Sequence, residues 1–296
     1  SSQDVRFNED KVAQGRQLAN KLWNASRLVL LRVPADLPEP RAVAVEDAWI
    51  LSRLQRAKAA TARALEAFEF HRAALGLYDF VYGDLCDWYL ELIKPRLYAD
   101  DNAEVSAVAL HVLRETLALA HPVIPFVTEE IWSYLPGTDG LLAGARFPAL
   151  EQGRIDADAE ASLQRAIGAV TALRRWRETV GAPARAVIPA RLEAAGYGGT
   201  LDQVARLARF SFDSGPDQPI ASVAIPDGAV QVLATDAVDL EAAERRREQA
   251  RARLRGELQR AEDKLANQGF VAKAPPEVVE AERRKARRLR EELEAL

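Results

Sequence analysis

The sequence predicts a mainly α-helical protein in three parts. An antiparallel helical bundle takes residues 1–150, a small α+β connecting module 151–235, and a C-terminal antiparallel coiled-coil hairpin 236–296. Three observations carry this. Ala, Leu, Arg and Glu dominate the composition, and all four favour helix. Residues 1–150 read as apolar-periodic segments parted by short proline-bearing loops, the pattern of antiparallel helices. The C-terminal stretch carries two apolar ladders at seven-residue spacing on each side of Gly269, Pro275 and Pro276.

The elements follow in order. The first helix is expected to be capped by Asn8, with Glu9 and Asp10 in its first turn and Val12, Leu18, Leu22, Ala25 and Val29 facing inward. Pro34, Pro38 and Pro40 end it. A second helix buries Trp49, Leu51, Leu54 and Leu65. A third runs from about His71 to Lys94, carries Leu75, Tyr78, Phe80, Leu85, Trp88, Tyr89 and Leu92, and is expected to stop at Pro95. A fourth spans about Ala103 to Ala120. Pro122 and Pro125 break it before a short fifth segment, VTEEIWSYL.

In the module, a helix over Glu160–Val180 precedes three β-like runs, AVIPARLEA, IASVAIP and AVQVLAT, with the helical LDQVARLARF among them. In the hairpin, one arm repeats Leu240, Arg247, Leu254 and Ala261 beside Glu244, Arg251, Leu258 and Leu265. The other repeats Val279, Ala286 and Leu293 beside Glu282, Leu289 and Leu296. Reversing the chain near Ala272 sets Leu265 opposite Val279 and Leu258 opposite Ala286.

Composition limits the function. Of 296 residues, 48 % are apolar and the net charge is −4, so any nucleic-acid contact must come from local patches. The single cysteine, Cys86, excludes a disulfide framework and a CxxC metal site within this sequence. No run is apolar and long enough for a membrane span, which points to a cytoplasmic setting with no membrane partner. Catalytic signals are sparse. His71, His111 and His121 stand in no metal-ligand spacing, and no phosphate loop or nucleophile elbow is present. Neither a catalytic residue nor a metal is expected. Gly196–Thr200, GYGGT, reads as a flexible glycine turn rather than a phosphate cradle.

Two stretches look like binding surfaces. Asn20, Lys21, Asn24, Arg27 and Leu28 fall on the side of the first helix away from its apolar stripe. Amides beside cations donate to base edges and phosphates; a solvated helix face is the alternative. Arg283, Arg284, Lys285, Arg287, Arg288 and Arg290 put six cations in eight residues. The stretch 236–296 holds 15 Lys and Arg against 14 Asp and Glu, so its cations are clustered rather than in excess. They serve either intrahairpin pairing with glutamates or a phosphate-tracking arm.

Taken together, these motifs resemble the C-terminal part of valyl-tRNA synthetase. QDVRFNEDKVAQGRQLANKLWNASRLVL, DAWILSRL, YDFVYGDLCDWYLELIKPRLY and HPVIPFVTEEIWSYLP are similar to that family's anticodon-binding bundle, of the class I synthetase type. DLEAAERRR followed by KLANQGFVAKAPPEVVEAER is similar to its terminal coiled-coil arm. The bundle motifs also suit isoleucyl or leucyl relatives; the hairpin with NQGFVAKAP points to the valyl branch. The family's HIGH-like and KMSKS-like signatures are absent, so the chain is expected to be a fragment inactive alone, with ATP and magnesium belonging to a catalytic domain outside it and no cofactor of its own.

The resemblance implies that Lys21, with Asn20, Asn24, Arg27 and Leu28, meets the anticodon, joined by Leu90, Glu91 and Lys94 at the end of the third helix. Position 28 is often aromatic in the family; leucine here gives apolar contact with less stacking. It also implies that Lys273 and the arginine cluster lean on the outer corner of the tRNA, reading shape and backbone. The expected partner is valine tRNA, and the expected state a monomer. A coiled-coil protein-interaction fragment remains the alternative of another class.

Overall fold

A computed structural model describes residues 9–34, 36–212, 218–267, 269 and 275–295. The expected Asn8 cap, the reversal at Ala272 and Lys273 lie outside them, as do the side chains of Leu240, Arg247 and Leu296. The chain forms two compact units. One holds residues up to Thr171 with Glu193–Ala208 and Ala224–Ala229; the other holds Ala172–Leu192, Arg209–Val223 and Val230–Leu296.

The first unit is a helical bundle: α1 (Glu9–Leu30), α2 (Val45–Glu66), α3 (Phe70–Asp79), a π-helical segment (Phe80–Tyr89), α4 (Leu90–Leu97), α5 (Ala103–Ala120) and α6 (Pro125–Trp132). α5 packs against each of α1, α2, α3, α4 and α6. That central place explains its sequence: Val105, Val108, Ala109, Val112, Leu113, Leu117 and Leu119 are buried on all sides of it, as a surrounded helix requires. Leu18, Leu22, Ala25 and Val29 face this core as periodicity predicts. Val12 and Leu75 do not; they are 59 % and 60 % exposed, and Leu65 is half-buried.

The predicted third helix is three consecutive segments. Between α3 and α4 the chain widens to π-helical turns, and buried residues recur as adjacent pairs about one wide turn apart. Phe80 and Val81, then Leu85 and Cys86, then Tyr89 and Leu90 are buried. Pairs spaced in this way match the i→i+5 turn, which stacks them on one face. Nor does the helix stop at Pro95, which sits inside α4. Proline removes an N–H and so frees the carbonyl of Glu91. The guanidinium of Arg206 donates to that carbonyl at 3.1 Å and to the carbonyl of Leu92 at 3.0 Å, so the helix continues to Leu97.

α4 is also tied to the start of α2. Arg96 donates to Glu46 at 3.0 Å and to both carboxylate oxygens of Asp47 at 3.0 and 2.8 Å. Asp47 is buried and also accepts from the backbone N–H of Ala44, a cap on α2. Burying two carboxylates is tolerable because the bidentate arginine and backbone donors satisfy them.

Beyond the bundle come α7 (Ala157–Val180), β1 (Ile188–Ala194), α8 (Leu201–Ala208), β2 (Phe210–Ser211), β3 (Pro219–Ile225) and β4 (Gly228–Leu233). The four strands form one sheet in the order β2-β1-β4-β3, with β1 and β2 parallel through Ile188↔Phe210 and Pro189↔Ser211. The sequence reading lacked β2. Gly196–Thr200 is pinned rather than loose: Tyr197 is buried and its hydroxyl donates to the carbonyl of Pro226 at 2.8 Å.

The chain ends in α9 (Leu240–Ala266) and α10 (Pro276–Ala295), which pack on each other. Ala261, Val279, Ala286 and Leu289 are buried and Leu254, Leu258, Leu265 and Leu293 half-buried, as the two ladders require.

Candidate nucleic-acid interface

The bundle surface starts from α1. Asn20, Asn24 and Arg27 are exposed, and their side chains make no hydrogen bond or ion pair among the described residues. Leu28 is half-buried against the core. Lys21 is held: its Nζ lies 2.7 Å from Asp87 and 5.1 Å from the centre of the Tyr82 ring. The hydrogen bond to Asp87 raises the Lys21 pKa above its ordinary value, so it is a firm cation. Tyr82 itself stacks on Tyr78, with centroids 4.4 Å apart. The π-helical segment supplies both partners of Lys21, Tyr82 and Asp87, through its packing against α1. Burial pushes the neighbouring Cys86 thiol up to about 12, so it is no nucleophile.

The end of the composite helix provides the second group. Glu91 and Lys94 pair with each other at 2.5 Å and are half-exposed. Leu90 is 4 % exposed and belongs to the core beneath them. α1 also lines an open apolar pocket of about 340 Å³ with Trp23, Ser26, Arg27, Leu30 and Leu31, closed by Ile131 and Tyr134. Trp23 and Tyr134 meet edge to face at 6.2 Å. The sequence reading named neither ring, nor Tyr82 and Asp87. A lone Trp between amides reads as core, and Asp87 is 66 positions from Lys21.

On the arm, the heptad sorts the six cations. Those beside the seam are paired: Arg290 with Glu262 at 2.5 Å across the hairpin, Lys285 with Glu282 at 4.0 Å, and Arg283 with Glu280 at 3.5 Å. Lys264 reaches Glu282 from α9 at 2.7 Å. Arg284, Arg287 and Arg288 fall three and four residues apart on the outer face and are exposed.

Little else offers chemistry. Among the described residues no three His, Cys, Asp or Glu side chains converge on a metal-sized site, and no helix is long and apolar enough to cross a membrane. His121 bonds through Nδ1 to Thr128 Oγ1 at 2.9 Å. His111 is half-buried, and burial lowers its pKa below the ordinary value. What this geometry can do is hold a polyanion, with amides able to read bases on α1 and arginines that track a backbone on α10.

Comparison with known proteins agrees. Residues 47–192 match the family model described as the anticodon-binding domain of tRNA ligase, and residues 239–296 that of the valyl-tRNA synthetase tRNA-binding arm. The valine–tRNA ligase of Clostridium acetobutylicum is 33 % identical over 99 % of this chain and 35 % of its own length. That of Thermosynechococcus vestitus is 36 % identical over 95 % of this chain and 34 % of its own. The chain thus spans about a third of the length of the curated relatives it matches. A solved LeuRS–tRNA–LeuAMS complex from Agrobacterium radiobacter K84 superposes with a TM-score of 0.43 at 18 % identity, over 52 % of this chain and 18 % of that one. Its bundle and its terminal arm both matched, the chain belongs to the valyl-tRNA synthetase family.

Proposed function

We propose that this chain is the RNA-holding part of a valine–tRNA ligase. The bundle takes the anticodon and the arm takes the outer corner of valine tRNA, while the ATP- and magnesium-dependent chemistry belongs to a catalytic domain outside this sequence. The observation that carries the reading is the contrast between the two surfaces. α1 offers exposed amides, Asn20 and Asn24, beside Lys21 and Arg27. α10 offers exposed arginines without amides. Amides discriminate bases; arginines alone bind phosphate wherever it runs.

Lys21 and Arg27 are assigned to phosphates or base edges, Leu28 to apolar contact with a base, and Glu91 and Lys94 to the rim. Leu90 supports that rim from below. Lys273, Arg283, Lys285 and Arg290 are assigned to the arm's tRNA contact with Arg284, Arg287 and Arg288, the last three bearing most of it. Such anchoring contributes to catalysis by fixing the acceptor end relative to the reacting groups, which lowers the entropic part of the barrier. The setting is the cytoplasm, the chain acts as a monomer, and by itself it activates no amino acid.

The test is titration of labelled valine tRNA and an anticodon-swapped tRNA over a range of salt. Asn24→Ala is expected to weaken the valine tRNA more than the swapped one. Neutralising Arg284, Arg287 and Arg288 to Gln is expected to weaken both alike and to reduce the log–log salt slope by about two. An intact chain that ignores both RNAs at low salt refutes the proposal. A stable dimer blind to RNA makes the arm a protein-docking coiled coil, and preference for isoleucine or leucine tRNA reassigns the branch.

A further inference from the structure

The module between bundle and arm carries its own concentration of charge. Residues 172–192 hold five arginines, Arg174, Arg175, Arg177, Arg185 and Arg191, against one acid, Glu178. Arg209 is added at the start of β2. Arg177 is the organiser. It is 7 % exposed, and its guanidinium donates to the carbonyl of Arg209 at 3.1 Å and to that of Pro183 at 2.7 Å. One buried cation thus ties together the two backbone segments that present Arg209 and, two residues past Pro183, Arg185. Both side chains are exposed, and neither makes an ion pair among the described residues.

Two further features single out this spot. Arg209 occupies the left-handed region, φ 57°, at the one-residue step from α8 to β2. Glycine meets that demand without strain, so an arginine there points to use of its side chain. Next, Arg177 is held below its ordinary pKa, first by burial and then by the charge of Arg209. Two cations share this site, an arrangement that favours a bound anion. Two partly exposed rings flank it, both resting on the buried Phe210: Trp176 packs on it at 6.1 Å and Phe212 stacks on it at 6.3 Å. Planar guanidiniums beside aromatic rings suit an RNA strand, whose phosphates take the forks and whose bases or sugars rest on the rings.

We propose that Arg185 and Arg209, braced by Arg177 and flanked by Trp176 and Phe212, form a third RNA-backbone contact separate from the bundle surface and the arm. The contact rests on the tRNA-holding reading above and names a surface that reading leaves without a role. It takes phosphates and reads no sequence.

The experiment compares the intact chain, Arg185→Gln, and Arg185→Gln/Arg209→Gly, leaving Arg177 and the fold in place. Arg209→Gly relieves the left-handed backbone rather than straining it. With valine tRNA at about 50 mM salt, the double variant is expected to bind roughly 5- to 30-fold more weakly, with a log–log salt slope reduced by one to two. The single variant is expected to lose about half of that. Hydroxyl-radical footprinting should lose protection at one backbone stretch and keep it at the anticodon. If the intact chain binds tRNA and the double variant binds it with the same affinity and slope, the inference is overturned while the proposed function stands. If the intact chain binds no tRNA, both fall. Loss of binding to poly-glutamate with unchanged RNA binding assigns the patch to an acidic protein and also overturns the inference.

Discussion

Substituting Asp87 by Asn tests whether Lys21 changes partners on RNA binding. In the free chain the Lys21 ammonium sits 2.7 Å from Asp87, with side-chain exposures of 35 % and 54 %. A pair this open to solvent is worth about 0–1 kcal/mol. If Lys21 must leave Asp87 to meet a phosphate or a base, binding bears that loss, and removing Asp87 returns up to about 1 kcal/mol, close to fivefold in affinity. Deleting a negative charge also strengthens attraction to RNA generally, though screening at physiological salt limits this beyond about 8 Å. A double-mutant cycle separates the two effects. Fluorescence anisotropy of labelled valine tRNA would be read for the intact chain, Asp87→Asn, Lys21→Ala and the combination. Asp87→Asn should tighten binding about two- to fivefold where Lys21 is present, and change it by less than about 1.5-fold where Lys21 is Ala. Equal tightening in both backgrounds would show that Asp87 acts only through the general field and that Lys21 stays on it in the complex.

Arg206→Met should destabilise the first unit by about 1–3 kcal/mol, because the carbonyls of Glu91 and Leu92 lose their donor in a helix that Pro95 has already weakened. Urea unfolding measures the loss, amide exchange should show it concentrated in α4, and an unchanged midpoint with unchanged exchange would mean that water replaces the guanidinium without cost. His111 sets a pH dependence. Its folded pKa lies below its unfolded value, so the unfolded chain binds more protons as pH falls through about 6.5; stability is whole above that pH and declines below it, by up to about 1.4 kcal/mol per unit. His111→Gln should flatten the decline between pH 7.5 and 5.5, and parallel curves for the two proteins would assign it to other groups.

The helices were legible where one apolar stripe faced one core. Leu18, Leu22, Ala25 and Val29 carry α1, and the seven-residue ladders carry α9 and α10. Where the turn widened, a 3.6-residue template misread the chain, although the five-residue recurrence of Phe80, Leu85 and Leu90 was there to count. Pro95 misled because a helix breaker is local while its remedy, Arg206, is more than a hundred residues away. β2 escaped notice because two residues have no period. At the candidate site the exposed amides of α1 could be read directly. The ion pair of Lys21, the sinking of Leu90 into the core and the bracing of Arg209 by Arg177 depend on neighbours that only folding supplies.

The terminal hairpin has a mechanical consequence. A helix of 27 residues is about 40 Å long, so α9 makes a lever several times longer than it is wide. A tilt of about 5° at its root moves its far end by roughly 3.5 Å, enough to carry a guanidinium off one oxygen and out of reach of the next. Residues near the root therefore steer the tip, and if the arm holds RNA as proposed, a screen for mutants with altered binding should recover them alongside the outer-face arginines.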